Sequence, residues 1–203
     1  MPGRGEAGYS RRWFLQAAVA GCGALISAAC SRGHSKSNNA RTPPSSSATT
    51  ASFPLGPTLD VGTVTGIRAS VTSVHAPRYV PQARAYVSVF PPELANDAQG
   101  VYPAELHPLL DAGLVVLHQK CPHLGCRVPF CETSQWFECP CHAARFDRAG
   151  EYRAGPSPRG MTLMSASIEN GRLILKPGTT YPGVPLGTDT TRQKPAGPFC
   201  VGS

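Results

Sequence analysis

The sequence of 203 residues is poor in charged side chains, which make up 15% of it. It has no basic stripe. Residues 1–41 hold six Lys and Arg against one acid, which leaves 13 basic and 11 acidic residues in positions 42–203. Nucleic-acid binding needs Lys and Arg gathered on one face beside stacking aromatic rings. That class of function is therefore excluded.

Glycine and proline are abundant, with 21 of each, so about a fifth of the chain consists of residues that favour turns. Together with the low charge, this composition favours β-structure and loops over helical bundles. The length suits one domain of about 100–150 residues with tails. A large multidomain enzyme is excluded, and no internal repeat is visible.

The N-terminal segment carries the pattern of an export signal. Arg11-Arg12 is followed by Trp-Phe-Leu, and no charge occurs from Trp13 to Ser31. Residues 1–31 are therefore predicted to be a twin-arginine signal, a route that carries folded proteins with their cofactors; an ordinary secretory signal is the alternative. The 19 uncharged residues lie at the lower limit of a membrane span. We predict a retained membrane anchor, with cleavage near Ser27–Ala29 or lipidation at Cys22 as alternatives.

Residues 32–52 are dominated by Ser, Thr, Asn, Pro and Ala and are too polar to bury a core. This composition predicts a flexible linker. A linker of this kind would let an attached domain visit more than one partner, or it would serve as a passive spacer.

A β-rich domain is predicted over residues 53–176, followed by a C-terminal extension at 177–203. Asn170-Gly171 favours a tight hairpin turn, because both residues tolerate positive φ. The one predicted helix runs from Pro103 to Leu110. Alternation and β-branched runs predict six strands, at Val61–Val74, Ala85–Phe90, Leu114–His118, Trp136–Glu138, Leu163–Ile168 and Arg172–Leu175.

Two compact clusters carry the chemistry: Cys121-Pro-His123-Leu-Gly-Cys126 and, eighteen positions after its start, Cys139-Pro-Cys141-His142. A Cys-x-His pair and a Cys-x-x-His pair can offer two sulfurs to one metal and two nitrogens to another, as a mixed-ligand [2Fe–2S] centre requires. A tetrahedral zinc site is the alternative. Two cysteines lie beside these pairs, and a bond between them would clamp the loops together, which is chemically allowed in an exported protein.

The motif Cys-x-His-Leu-Gly-Cys followed by Cys-Pro-Cys-His is similar to the Rieske iron–sulfur family, specifically its disulfide-containing branch. The resemblance covers about residues 60–176. It implies an all-β fold of antiparallel sheets with a small cluster-binding subdomain at about 119–160. It also implies one [2Fe–2S] cluster, held by Cys121 and Cys139 on one iron and by His123 and His142 on the other, with a Cys126–Cys141 disulfide.

A further segment, Gly155-Pro156-Ser157-Pro158, resembles the proline loop that covers the cluster in quinol-oxidising members of the family. More closely, the run from Val101 to Gly160 resembles the Rieske subunits of actinobacterial-type quinol–cytochrome c reductases. In such a subunit the outer nitrogens of His123 or His142 would dock the quinol, and Leu124 would shield the cluster.

This resemblance implies a non-catalytic redox subunit of an oxidoreductase complex. It would take an electron from quinol at a cytochrome b partner and deliver it to a c-type cytochrome. The N-terminal segment would hold it at the cell membrane, with its domain on the outer face. The alternative is the small Rieske subunit of an arsenite-oxidase-like molybdenum enzyme.

The sequence departs from the family's high-potential members after the second cluster. Those members continue with Gly-Ser and a tyrosine two residues on, whose hydroxyls donate to the cluster and cysteine sulfurs. Here the residues are Ala143, Ala144 and Phe146. A donor to sulfur stabilises the more negative, reduced cluster. We therefore predict a potential in the lower half of the roughly −150 to +300 mV Rieske range, which suits menaquinol.

Two cysteines remain outside the clusters and the N-terminal segment. A bond between Cys131 and Cys200 would tie the C-terminal tail to the loop between the clusters, although connectivity does not follow from sequence. The histidines at 75, 107 and 118 are interpreted as surface or packing residues, because four ligand positions are already filled.

Overall fold

The computed structural model describes residues 57–202. The predicted signal or anchor at 1–31 and the predicted linker at 32–52 lie outside these residues.

Within the described range, the strands are numbered along the chain. They are β1 (Leu59–Thr63), β2 (Arg78–Val80), β3 (Ala85–Val89), β4 (Leu114–His118), β5 (Phe130–Cys131), β6 (Trp136–Glu138), β7 (Arg145–Phe146), β8 (Tyr152–Ala154), β9 (Leu163–Glu169) and β10 (Arg172–Tyr181). The larger sheet has the order β1-β10-β9-β4-β3-β2, and the smaller has the order β5-β6-β7-β8. All pairs are antiparallel. The predicted antiparallel β fold is confirmed.

The small sheet is an insertion into the large one, because β5 to β8 all lie between β4 and its neighbour β9 in the chain. Both cysteine–histidine motifs fall in this insertion. The first lies between β4 and β5, and the second lies between β6 and β7. Two adjacent connections of the chain therefore carry the chemistry-bearing side chains.

The hairpin between β9 and β10 turns at Asn170-Gly171, as predicted. Both residues have positive φ, 49° and 73°, which is the conformation that a two-residue turn of this type requires. The flanking Glu169 and Arg172 are paired across the turn. Strand β10 continues to Tyr181, so it crosses position 176, where the extension was predicted to begin.

The prediction of one strand over Val61–Val74 is wrong after its first three residues. β1 ends at Thr63, and helix α1 spans Val64–Ser73. The Thr63 side chain accepts a hydrogen bond from the Gly66 amide at 3.2 Å and so caps the helix. Ile67 and Val71, four residues apart, bury one face of the helix. This burial outweighs the β preference of the branched residues.

The predicted helix at Pro103–Leu110 is present as a 3₁₀ turn, Ala104–Leu106, that leads into a short α-helix, His107–Asp111. Its leucines are buried. The remaining short elements of the described chain are the 3₁₀ turns Pro81–Ala83 and Pro92–Leu94 and the four-residue helix Ala95–Ala98.

Two apolar clusters form the core. One packs α1 against one face of the large sheet, with Ile67 and Leu173 among its members. The other joins the two sheets through Leu117, Phe137 and Phe146, all fully buried. Full burial of such a side chain contributes roughly 1.5–3 kcal/mol. The loops of the small sheet are therefore supported by a well-packed apolar core.

The C-terminal segment after Tyr181 has no further strand up to residue 202, and it packs on the small sheet. Cys131 on β5 and Cys200 form a disulfide with Cα atoms 5.8 Å apart. The ring of Trp136 on β6 also packs against that of Phe199 in a tilted arrangement, with ring centroids 5.6 Å apart. The tail is thus bonded to the sheet that carries the second motif.

We expect Cys200→Ser to lower the free energy of unfolding by about 2–4 kcal/mol, because a disulfide that closes a long loop restricts the unfolded chain. Thermal unfolding of the oxidised protein measures the effect. Cys131→Ser should reproduce it, and the double variant should add nothing. An unchanged unfolding temperature in Cys200→Ser would contradict a structural role for this bond.

Candidate metal centre

The two motif loops have the same backbone design. In the first, the Cys121 amide donates to the Cys126 carbonyl at 2.7 Å, and the Gly125 amide donates to the Cys121 carbonyl at 2.9 Å. In the second, the Cys139 amide donates to the Ala144 carbonyl at 2.8 Å, and the Ala143 amide donates to the Cys139 carbonyl at 2.9 Å. Each loop thus begins at a cysteine whose N–H and C=O are both satisfied locally.

Each loop also needs a left-handed residue four positions after its first cysteine. Gly125 occupies that position with φ of 83°, and Ala143 occupies it with φ of 55°. This conformation disfavours residues with a Cβ. Ala143 therefore shows that the second loop is held in shape by its surroundings.

The four predicted ligands lie together in two pairs. The Cys121 and Cys139 side chains are buried, unbridged thiols. The His123 and His142 rings lie edge to face, with centroids 4.8 Å apart. His123 is partly exposed and His142 is exposed. The loops thus combine two buried sulfurs with two accessible imidazoles, a donor set that fits a mixed-ligand [2Fe–2S] cluster.

Burial raises the pKa of the Cys121 thiol to about 11. The backbone N–H of His123 acts in the opposite direction, the thiol of Cys139 adds to the rise, and the backbone N–H of Leu124 again opposes it. A bound cation stabilises the thiolate form of a cysteine that is buried from solvent. Without a metal, the Cys121 sulfur is therefore a protonated thiol at neutral pH, and a bound cation would favour its thiolate form.

The predicted disulfide between Cys126 and Cys141 is present, with Cα atoms 6.6 Å apart. It joins the first loop to the second. The Cys139 sulfur lies within 4.8 Å of both disulfide sulfurs. Because two members of this sulfur group are bonded to each other, they are not available as ligands, and the group clamps the two loops in place.

The proline loop packs directly against the second motif loop. Gly155 has φ of 89°, and a Cβ there would lie 2.6 Å from the Ala144 Cα, so the close approach requires glycine. The Tyr152 hydroxyl donates to the Gly155 carbonyl at 2.5 Å. Ser157 is buried and donates to the Arg159 carbonyl at 2.8 Å, while Pro156 is exposed.

Ala144 and Phe146, which stand where the resemblance places two hydroxyl donors, are both fully buried. Tyr152 is the neighbouring aromatic residue, with its ring centroid 6.5 Å from that of Phe146. Its hydroxyl donates to a backbone carbonyl of the proline loop, as does that of Ser157. Neither of these two hydroxyls is therefore directed to a cysteine sulfur.

One site feature that the sequence analysis missed is the buried Glu138, which immediately precedes Cys139. Its carboxylate accepts hydrogen bonds from the backbone N–H groups of Cys200 and Val201, at 2.8 and 2.9 Å, and from the Ser134 hydroxyl at 2.5 Å. The C-terminal tail thus supplies backbone donors to the strand that enters the second motif.

A second buried group ties the tail to the turn after β7. Arg153 bonds to Asp147 at 2.5 Å and to Glu151 at 3.0 Å, and both carboxylates are fully buried. Thr190 and Thr191 of the tail donate to these same carboxylates. Burial raises the pKa of Asp147 to about 6, although Arg153 acts in the opposite direction. Arg153 and Thr191 are 38 residues apart in sequence, and Glu151 and Thr190 are 39 residues apart, so no local sequence pattern predicts these contacts.

No helix within residues 57–202 has the length and apolar character needed to cross a membrane.

Comparison with known proteins agrees with this geometry. Residues 92–169 match the family model described as the Rieske [2Fe-2S] domain. The cytochrome b6-f complex iron-sulfur subunit 1 of Trichormus variabilis is 38% identical over 63 residues, which cover 31% of this chain and 35% of that protein. The corresponding subunit 3 of a Nostoc species is 32% identical over 99 residues, which cover 49% of this chain and 52% of that protein. The chain thus spans about a third to a half of these relatives.

Two solved structures resemble the chain. The plasma membrane Rieske protein PetC3 from Synechocystis shares 19% identity, with a TM-score of 0.38 over 58% of this chain and 98% of that one. The soluble domain of Rieske protein II from Sulfolobus acidocaldarius shares 14% identity, with a TM-score of 0.39 over 59% of this chain and 77% of that one. On the evidence of its family match and its curated relatives, the chain contains a Rieske [2Fe-2S] domain, which binds one [2Fe-2S] cluster.

Proposed function

We propose that Cys121 and Cys139 hold one iron of the cluster and that His123 and His142 hold the other. The observation that carries this assignment is the pairing of two buried, unbridged thiols beside two imidazoles 4.8 Å apart. In the described chain, the other cysteines are bonded as disulfides, so they do not compete as ligands.

We further propose that the chain is an electron-transfer subunit that accepts an electron from quinol and passes it to a c-type cytochrome within a cytochrome bc-type complex. When bound, the cluster accepts and releases one electron at a time. The accessible imidazoles of His123 and His142 would hydrogen-bond a quinol hydroxyl and take up its proton. Relatives named as cytochrome b6-f iron-sulfur subunits support this role. The chain alone would not turn over.

The domain organisation and location are part of the proposal. Residues 1–31 would be the twin-arginine signal retained as an anchor, 32–52 the linker, 53–176 the Rieske domain and 177–203 the extension. Two disulfides in the described chain support export, because such bonds persist in oxidising compartments. The domain would then lie on the outer face of the cell membrane.

The proposed role is tested by isolating the chain from membranes with its partners. A cytochrome b and a c-type cytochrome should accompany it, and added quinol should reduce the cytochrome through the chain. A molybdopterin-containing partner would instead favour the arsenite-oxidase-like alternative. The missing hydroxyls at Ala144 and Phe146 are the observation that favours that alternative, since a low potential would suit such an enzyme.

Leu124 offers a test of the quinol surface. It follows His123 directly, and its side chain is 71% exposed. We expect Leu124→Ala to slow quinol-dependent reduction about tenfold, because an apolar contact of roughly 1.4 kcal/mol would be lost, while the midpoint potential stays within a few tens of mV. Val74→Ala, at an exposed valine directly after α1, is the matched control. Equal rates in Leu124→Ala and the native chain would contradict docking at this tip.

A further inference from the structure

The second motif loop, residues 139–144, connects β6 to β7. Glu138 directly precedes the loop, Arg145 directly follows it, and the two residues are partners in the antiparallel register. Opposite charges that face each other across two strands commonly bind each other. Within residues 57–202, however, Glu138 and Arg145 form no ion pair with each other. Each of them binds the C-terminal tail instead.

Glu138 binds the tail through its carboxylate. The side chain is fully buried, and one carboxylate oxygen accepts from the backbone N–H groups of Cys200 and Val201 at 2.8 and 2.9 Å. The other oxygen accepts from the Ser134 hydroxyl. A buried carboxylate needs such bonds, and hydrogen bonds to an ionised group are stronger than neutral ones. The tail therefore stabilises the charge at the start of the loop.

Arg145 binds the same tail segment from the other strand. Its Nη2 atom donates to the Val201 carbonyl at 2.9 Å and also to the Gly202 carbonyl. Its guanidinium carbon lies 3.8 Å from the centre of the Phe199 ring, which is a cation–π contact. The N–H of Val201 is thus bound at one end of the loop and its C=O at the other, so the tail bridges both ends.

The tail also contacts the loop itself. A Cβ on Gly202 would lie 2.8 Å from the Ala143 Cβ, so the tail backbone packs against that residue. Ala143 follows His142 and has a φ of 55°, a conformation that disfavours a side chain. The first loop has Gly125 at the equivalent position, where a positive φ causes no such strain. Ala143 therefore needs support from its surroundings, and the tail is in contact with it.

The Cys131–Cys200 disulfide anchors the tail where these contacts occur. Cys200 lies between Phe199 and Val201 in the chain, and its partner is on β5 of the small sheet. A covalent link of this kind makes the neighbouring polar contacts intramolecular at short range, which favours their formation. The bond therefore keeps the tail segment beside the loop.

We propose that residues 199–202 form a clasp that positions the second ligand loop, with Glu138 and Arg145 as its positioning residues. The inference rests on the ligand set proposed above, in which this loop supplies Cys139 and His142. The clasp acts through the loop and supplies no ligand. When it opens, the Ala143 conformation relaxes, the adjacent imidazole shifts, and the iron that this imidazole would hold becomes accessible to chelators.

The test uses the full-length chain with its cluster, incubated with EDTA, while the EPR signal of dithionite-reduced samples records how much cluster remains. Arg145→Gln and Phe199→Ala are expected to lose the cluster about tenfold faster than the native chain, because each removes a contact of the clasp. Their initial signals should also be broader, because His142 is held less uniformly. Phe199→Tyr keeps the ring and should behave as the native chain does.

Hydrogen exchange of backbone amides locates the effect in the loop. The Ala143 amide, which donates to the Cys139 carbonyl, should exchange faster in Arg145→Gln and Phe199→Ala than in the native chain. The Gly125 amide, which makes the equivalent bond in the first loop, should exchange at an unchanged rate. Equal acceleration in both loops would contradict a clasp on the second.

Val71→Ala controls for a general loss of stability. Val71 is buried on α1 in the core cluster of the large sheet, so its truncation lowers the unfolding temperature without touching the clasp. If Arg145→Gln and Phe199→Ala lose the cluster no faster than Val71→Ala does, the proposal is overturned while the ligand set stands. A native chain that forms no [2Fe–2S] cluster would instead contradict the ligand set, and amide exchange at Ala143 would then decide the clasp by itself.

Discussion

Cys139→Ser is expected to abolish the EPR signal of the reduced cluster and to leave the purified chain without a [2Fe–2S] centre. Cys139 is almost fully buried, so no other side chain or solvent molecule can replace its sulfur without rearranging the loop. A serine hydroxyl is a harder and much less acidic ligand than a thiol, and it suits iron–sulfur clusters poorly. Iron analysis together with EPR of the dithionite-reduced protein measures the loss.

The matched controls for ligand loss lie close by. Cys200→Ser removes the tail cysteine that is disulfide-bonded to Cys131 of the small sheet and should keep the signal, although the protein is less stable. For the histidines, His142→Gln should lose the Rieske signal, whereas His118→Gln should keep it, because His118 lies on β4 and its Nδ1 accepts from the Lys120 amide. Retention of a native signal in Cys139→Ser or His142→Gln would refute the proposed ligand set.

Ala144→Ser and Phe146→Tyr are expected to raise the midpoint potential, each by tens of mV and together by more. A hydroxyl that donates to sulfur stabilises the reduced cluster more than the oxidised one. If the difference is about 1.4 kcal/mol, the one-electron potential changes by about 59 mV. Both residues are fully buried, so an added hydroxyl must find a partner inside the protein.

Two conservative controls test whether the change comes from the donors. Ala149→Ser adds a hydroxyl at another buried alanine of the small subdomain, and Phe130→Tyr adds one to a ring on β5. Neither should shift the midpoint potential. If Ala144→Ser and Phe146→Tyr change the potential no more than these controls do, the missing donors are not what sets it.

The sequence was sufficient to predict β4 and β6 beside the site, but it did not predict the short strands β5, β7 and β8 of the small sheet. Leu114–His118 and Trp136–Glu138 are reproduced with their exact bounds, because both are short runs of apolar and aromatic residues between turn formers. Residues 61–74 were wrongly predicted to form one strand because valine, threonine and isoleucine favour strands. Ile67 and Val71 are buried because α1 packs against the large sheet, and residue types alone do not reveal this contact.

The site was predicted for a different reason. Ligand motifs put several chemical requirements into a few adjacent positions, so that Cys121, His123, Cys139 and His142 could be named together, and the structure brings them together. The support around them was not predictable. Glu138 meets residues of the tail more than 60 positions away, and a lone glutamate on a short strand gives no signal of that contact.

The contacts of the C-terminal tail were likewise not predictable from the sequence. Its composition suggested an extension, and only the Cys131 and Cys200 pair hinted at an attachment. In the structure, the segment reaches the small sheet through Glu138, Asp147 and Glu151 as well as through the disulfide. Such polar contacts depend on how the complete fold brings distant segments together, and the hydrophobic periodicity of the sequence does not specify this.

The most direct test of the central claim is an EPR-monitored redox titration of the full-length chain. We predict a reduced Rieske signal, two sulfur and two nitrogen ligands, and a midpoint potential in the lower half of the roughly −150 to +300 mV range. Bound zinc alone, or bound iron without that signal, would contradict the proposed cluster ligands and the electron-transfer role. A Rieske signal with a midpoint near the top of the range would contradict the account of Ala144 and Phe146.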